Sequence, residues 1–296
     1  MTLLQLFARQ RWIRRGVRER VLRAIAGPSK QPDTPFEAPF FGMRYQGRRS
    51  SYIDWNVWFY GSYETEILEL IRAVLADRPG SVFFDVGANV GHHTLFASRH
   101  AQMVHAFEPF EPVRRALLEK LAANGLTNVA VHAFGLGDTT VSLPYAAPVG
   151  ANQGSGRFLQ PLEEAPAGDV LPIVKGDEFA AGLARLDMVK IDVEGFEPQV
   201  IGGLRETLAR LRPCVLYENS ATTQRGIPTV EALGALFPPE YRFFNVHRQR
   251  GRLLVFELPG YRLSPLGTVA AASEEILGVP GERGRLLGPR AAGGIL

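Results

Sequence analysis

Four acidic residues stand at or near the ends of short apolar runs: Asp85 within Val82–Val86, Glu108 after Met103–Phe107, Asp192 within Met188–Val193, and Glu218 closing Cys214–Glu218. Runs of this length and composition read as strands buried on both faces of a parallel sheet. A doubly wound sheet binds its ligand in the crevice beyond the C-terminal ends of its strands. Acids at those ends look into that crevice, where they accept hydrogen bonds, take a proton or hold a hard cation.

The stretch that most constrains the ligand is Ser81–Thr94, reading S-V-F-F-D-V-G-A-N-V-G-H-H-T. It runs strand, glycine turn, helix start. Gly87 and Gly91 let a ligand approach the backbone, and the helix start offers N–H groups that have no partner within the helix. A dinucleotide turn needs G-x-G-x-x-G, with its second glycine admitting a pyrophosphate. Here the pattern is D-x-G-x-N-x-G. Asn89 stands where a pyrophosphate needs bare backbone. Asp85 is a carboxylate, which repels a phosphate and suits an ammonium. Glu108, at the end of the next strand, is placed to take the two hydroxyls of a ribose. An adenosine joined to an amino acid is S-adenosylmethionine, so Asp85, Gly87, Asn89, Gly91 and Glu108 form the expected cofactor set.

Three blocks carry a family likeness: F-D-V-G-A-N-V-G-H-H-T (84–94), A-F-E-P-F (106–110) and D-M-V-K-I-D-V-E-G-F-E (187–197). On these the chain resembles the FkbM-type class I methyltransferases, over residues 82–218. The third block is the most specific of the three. The resemblance implies an α/β fold with a doubly wound, seven-stranded, mostly parallel sheet, S-adenosylmethionine as cofactor, and a hydroxyl of a sugar, glycan or secondary metabolite as methyl acceptor.

Methyl transfer from a sulfonium is an in-line displacement, so catalysis is mostly positioning. An alcohol acceptor adds the need to lose a proton to a base, or to be acidified by a metal. Two readings of the acids follow. In one, Asp192 is the general base, with Glu194 or His93 orienting the acceptor. In the other, Asp192, Glu218 and Asn219 share a Mg2+ ion, resembling the metal site of catechol-type O-methyltransferases. Asn152 and Gln153, on a glycine-flanked loop, are read as turn chemistry or as substrate contacts. His93 faces ligand or solvent at a helix start. Three other functions stand as alternatives: N-methylation, hydride transfer on a bound NAD, and a binding module that keeps the fold without turnover.

The elements that must position these residues follow in order. Residues 1–60 read as a basic helix, a proline-rich linker and an aromatic segment, in which core packing is favoured over a substrate cap. Residues 61–258 read as the methyltransferase domain, and 259–296 as a C-terminal extension, disordered in its last dozen residues. Glu64–Ala76 is the clearest amphipathic helix, with Ile67, Leu68, Ile71, Val74 and Leu75 as its buried stripe. Val129–Phe134 is a third strand and Val141–Tyr145 part of a short hairpin. Pro198–Leu211 and Thr229–Leu236 are helices. Tyr241–Val246 and Leu253–Leu258, joined by the turn H-R-Q-R-G-R, are read as an antiparallel pair closing the sheet.

Composition sets the compartment. A 46% hydrophobic content supports a full core, and the single cysteine, Cys214, excludes an intrachain disulfide and a cysteine metal cluster. The lone cysteine suits a reducing compartment, so a cytoplasmic location is expected, and no run of about 18 apolar residues is present to span a membrane. Residues 1–30 hold seven arginines and one lysine against Glu19 alone. Their apolar residues recur at helical spacing. That segment is an amphipathic helix on an anionic membrane through residues 1–27, a targeting presequence, or a helix folded on its own domain. The expected partner is a small-molecule or glycan acceptor, and no nucleic acid.

Overall fold

The computed structural model describes residues 2–76, 78–148, 150, 154–159, 169–250 and 257–287. The chain opens with helices α1 (Leu3–Ala8) and α2 (Arg15–Ala26), the hairpin β1 (Pro35–Phe40) and β2 (Met43–Arg48), and helices α3 (Tyr52–Tyr60) and α4 (Thr65–Leu75). Strand and helix then alternate through β3 (Val82–Val86), α5 (His92–Ala97), β4 (Met103–Phe107), α6 (Glu111–Ala123) and β5 (Val129–His132). Four short strands follow, β6 (Gly135–Gly137), β7 (Val141–Ala146), β8 (Arg157–Phe158) and β9 (Asp169–Lys175), then α7 (Gly176–Ala180) and β10 (Met188–Ile191). The last part holds α8 (Glu197–Gly203), α9 (Arg205–Leu211), β11 (Cys214–Glu218), α10 (Thr223–Gly226), α11 (Val230–Leu236), β12 (Tyr241–Arg250), β13 (Glu257–Pro265) and β14 (Glu275–Pro280).

Among the described residues the main sheet runs β13-β12-β14-β11-β10-β3-β4-β5. The pairs among β5, β4, β3, β10 and β11 are parallel, and the pairs involving β12, β13 and β14 are antiparallel. The seven-stranded plan is present, but the expected Leu253–Leu258 strand meets only the start of β13, and β14 is an eighth strand between β11 and β12. Successive side chains of a strand point to opposite faces, and the two cores follow from this. Phe83, Val104, Met188 and Leu216 enter one core with the α4 stripe. Phe84, Phe107, Val189 and Val215 enter the other with α8 and α9. Each fully buried side chain of this size contributes about 1.5–3 kcal/mol, so reversing any strand's register would exchange its two cores.

Four readings of the chain are corrected. Residues 247–250 belong to β12 rather than to a turn, with Arg248 opposite Tyr261 and Arg250 opposite Glu257; residues 251–256 lie outside the described part. The segment from 259 onward is not an extension as a whole. β14 sits between β11 and β12, buried along its whole length. Its E-I-L-G-V-P run is short and set among glycines and prolines, which hides it from pattern reading, but the sheet needs an apolar strand at that place. The expected disorder of the last dozen residues falls mainly on 288–296, outside the described part. Pro198–Leu211 is two helices, broken at Leu204. The expected hairpin at Val141 is part of a second sheet, β6-β9-β7-β8, which roofs the C-terminal edge of the first.

The N-terminal helices fold onto the domain. Ala8, Leu22 and Ala26 pack against Trp55 and Phe59 of α3, and the Trp55 indole donates to the Ala26 carbonyl at 2.7 Å. The fully buried Arg18 donates to the carbonyls of Ile13 and Ala8. The aromatic stretch of α3 is thus largely core.

Candidate active site

A cleft lies at the C-terminal ends of β3, β4, β10 and β11, under the second sheet. Its lining includes Gly87, Asn89, Glu108, Leu136, Tyr145, Phe158, Asp192, Glu194 and Glu218, and also Tyr52, Tyr63, Glu64 and Glu275.

At one end the chain turns sharply after β3. Gly87 has φ +81°, and a Cβ there would stand 1.9 Å from the Asp192 carbonyl oxygen. Only glycine lets β3 and β10 close side by side at the cleft. Asn89 is left-handed at φ +51°, and its side chain accepts from the Val90 N–H at 2.7 Å. Its own N–H donates to Glu108 Oε2 at 2.9 Å, while Glu108 Oε1 accepts from the Phe110 N–H at 3.0 Å. Each carboxylate oxygen keeps a second lone pair. Burial pushes the Glu108 carboxyl up to about 7 despite these two bonds. Tyr145 stacks on Phe110 and meets Phe158 edge-on, giving this end an aromatic wall.

The floor is the 190–197 block. Lys190 is buried between strands opposite Asp85 and donates to Asp192 Oδ2 at 2.8 Å. Burial works against its charge, but Asp192, Asp85, Glu275 and Glu64 outweigh that and hold its pKa above the ordinary lysine value. Asp192, one-third exposed toward the cleft, is desolvated too, yet Lys190 keeps its carboxyl below the usual range. Glu194 takes φ +55° in the following turn, and burial raises it to about 7. Glu197 points the other way. It accepts from the N–H groups of Val193 and Gly195 and from the Thr223 hydroxyl at 2.6 Å, so it fixes the loop.

The other end is lined by carboxyls. Glu218 and Glu275 are cross-strand partners on β11 and β14. Burial is the first cause of both shifts, taking Glu218 to about 9 and Glu275 well above the carboxylate range. Glu64, left-handed at φ +43° where α4 begins, is raised to about 7, again mainly by burial. One oxygen of each, the Oε2 of Glu64, Glu218 and Glu275, has no hydrogen-bond partner.

The cleft thus assembles Gly87, Asn89, Glu108, Asp192, Glu194 and Glu218 from the expected set, but not Asp85, Gly91, His93 or Asn219. Asp85 is fully buried beneath it, accepting from the Thr94 hydroxyl at 2.6 Å and raised by that burial. Gly91 at φ +82° serves packing, since a Cβ would stand 2.3 Å from Leu117 Cδ1. His93 does not face solvent. It is buried behind Glu64, with Nε2 3.3 Å from Glu64 Oε2 outside hydrogen-bond geometry, and burial lowers its pKa well below the usual value. The Asn219 amide donates to the carbonyls of Val269 and Ser273. Its Oδ1, the atom a metal would take, has no partner, but Asn219 does not line the cleft with Asp192 and Glu218; among the described residues no three His, Cys, Asp or Glu side chains are grouped to hold a metal. Asn152 and Gln153 lie outside the described part. Glu64, Lys190 and Glu275 were not expected from the sequence, although Glu275 opens an apolar run much as Asp85 interrupts one.

The order β5-β4-β3-β10-β11-β14-β12, with its cleft at the strand ends, defines a class I methyltransferase fold. The chain belongs to the FkbM family: the sequence model of the methyltransferase FkbM domain matches residues 85–243, more than half of the 296. No curated protein matches. Among solved structures the chain is similar to a methyltransferase FkbM from Methylobacillus flagellatus KT, at 15% identity and TM-score 0.42, covering 70% of this chain and 47% of that one. It is also similar to a SAM-dependent methyltransferase from Agrobacterium tumefaciens (12%, TM-score 0.46, 85% and 72% covered). A third is the O-methyltransferase TomG from Streptomyces achromogenes, in complex with SAM (12%, TM-score 0.42, 73% and 79% covered). This chain spans about half the length of the first of these.

Proposed function

We propose that the protein is an S-adenosylmethionine-dependent O-methyltransferase acting on a polyhydroxyl acceptor, a sugar or a hydroxylated secondary metabolite. The observation that carries the reading is the pairing of two unlike ends in one cleft, a glycine turn with Glu108 at one and the Glu64, Glu218 and Glu275 carboxyls at the other, with an oxygen of Glu218 and of Glu275 unpartnered. Glu108 has lone pairs to spare for two ribose hydroxyls, Leu136, Tyr145 and Phe158 offer an apolar seat for a base, and the 87–89 turn suits the amino-acid moiety. When bound, the cofactor supplies an electrophilic methyl carbon next to a sulfonium charge. The carboxyls at the far end are hydrogen-bond acceptors for hydroxyl groups, with the rings of Tyr52 and Tyr63 beside them.

Asp192 is a poor base here, since Lys190 holds its proton affinity down. Its role is to orient. Glu64 and Glu194, both near 7, are matched to accepting a hydroxyl proton at neutral pH. No step is routed through Mg2+; Asp192 and Glu218, which line the cleft, are the carboxylates that would hold it.

Calorimetric titration with S-adenosylmethionine and, separately, NAD tests the cofactor. Saturable binding of the first alone, weakened about 10–100-fold in Glu108→Ala for loss of two charge-assisted bonds, is the expected result. Binding of NAD, or of neither, refutes the reading. A methyl-transfer screen against sugar alcohols and amines then separates O- from N-methylation, since the same carboxyls would also attract an ammonium.

A further inference from the structure

Helix α2 has a buried stripe and, beside it, an exposed apolar one. Arg18, Leu22 and Ala26 are buried against the domain, at 1%, 0% and 5% exposure, each four residues after the last. One residue ahead on the helix, Val17, Val21 and Ile25 repeat that spacing facing solvent, exposed by 50%, 37% and 62%. Leu3 and Trp12, exposed by 84% and 60%, extend the apolar surface through the preceding segment. A soluble helix normally turns charge outward opposite its buried stripe. Here one exposed flank, about 100° round the helix from the buried stripe, is apolar, and exposed Arg11, Arg14 and Arg20 border it. Glu19, the only acid in this segment, is tied to Arg23 at 2.7 Å.

We propose that the α1–α2 face is a docking surface for an anionic lipid bilayer. Apolar side chains beside arginines on one exposed helical face combine the two forces that hold a peripheral helix at an interface, burial among acyl chains and attraction to acidic headgroups. Charge complementarity selects this occupant. A second copy meeting the same face would bring two arginine-rich segments together. The contact is peripheral, because no described helix is long and apolar enough to cross a membrane. The surface also has a functional position. Val17, Arg14 and Arg20 line a groove that shares Tyr52, Tyr63, Glu64 and Glu275 with the cleft, so a docked molecule opens its acceptor end toward the bilayer.

The test uses the full chain and sedimentation with phosphatidylcholine vesicles, with and without phosphatidylglycerol. Binding is expected only with the anionic lipid, weakened by salt, and accompanied by a blue shift of Trp12 emission that Trp12→Ala removes. The triple variant Val17→Ser, Val21→Ser, Ile25→Ser is expected to bind at least about tenfold more weakly, and Arg11→Gln with Arg20→Gln to lose the preference for anionic lipid. Thermal unfolding and titration with S-adenosylmethionine serve as controls that these exposed changes leave the fold and the cofactor site intact. Equal binding to neutral vesicles, binding to neither kind, or self-association abolished by the triple variant without vesicle binding would overturn the proposal. Cofactor binding in solution is independent of each of these outcomes.

Discussion

Lys190→Met removes the ammonium from the floor of the cleft. In the wild type Lys190 Nζ lies 2.8 Å from Asp192 Oδ2, and the lysine is almost wholly buried. At an effective dielectric of about 20, that separation corresponds to an attraction of about 6 kcal/mol. Desolvation of both groups offsets part of it, and the one-third exposure of Asp192 screens it further. Breaking a buried pair from one side costs about 3–5 kcal/mol, so this partly open pair should cost near 3. In a chain of this size that lowers the unfolding midpoint by roughly 6–12 °C. The pH dependence gives the sharper check. Lys190 depresses the folded pKa of Asp192 below its ordinary 3.8, so this stabilisation is present above that pH and is lost as pH falls through the folded value. The raised pKa of Lys190 itself lies above 10.5 and does not enter this window. Urea unfolding of wild type, Lys190→Met and the double variant with Asp192→Asn, followed from neutral pH to below 4, is the assay. The gap between wild type and Lys190→Met should close in acid, and the double variant should recover most of the loss. A gap under about 1 kcal/mol at neutral pH, or one unchanged in acid, would refute the account of Lys190 as the cation that holds this floor together.

Two further outcomes are expected. Glu218 has a folded pKa raised from 4.5 to about 9, so the stability it confers is fully present below 4.5 and is lost as pH rises through about 9; the thermal midpoint should fall across that range, and Glu218→Gln should flatten the fall, whereas curves that drop in parallel would contradict the shift. Gly91→Ala drives a Cβ into Leu117 at a left-handed φ and should cost about 1–3 kcal/mol with cofactor affinity of the folded protein unchanged, so a weakened affinity at unchanged stability would return Gly91 to the cofactor set.

The parallel half of the fold was legible because its strands are short apolar runs that begin and end at turn residues. Cys214–Glu218 has the expected boundaries, and the predicted α4 stripe is buried throughout. Glu108 and Asn89 were legible as cleft residues because strand ends and glycine turns have fixed places in such a sheet. The acid in the first strand misled. Asp85 is buried beneath the cleft, bonded to Thr94 and set across the strand from the charge of Lys190, 105 positions later, which no local pattern reveals. The second sheet was missed because β6 and β8 are only three and two residues long and β9 carries Pro172. Glu64 escaped notice because its role depends on a left-handed backbone at a helix start. Glu275 escaped because its strand lies in a glycine- and proline-rich tail, and Tyr241–Val246 with Leu253–Leu258 already fill a seven-stranded plan.

The place of β14 sets an order on the birth of the molecule. The strands β3, β4, β5, β10 and β11 all leave the ribosome before it and can zip together as they emerge. The hairpin β12–β13 emerges next but meets β11 only through β14, which must slide between them. Until it does, β11 presents a bare edge to any neighbouring chain, and Glu218 has no carboxyl across from it. The strand that completes the sheet also brings Glu275 to the cleft. A chain interrupted before residue 275 would therefore be unfinished in its architecture and in its active site at once, so a nascent molecule has no stage at which the acid end is assembled while the sheet is still open.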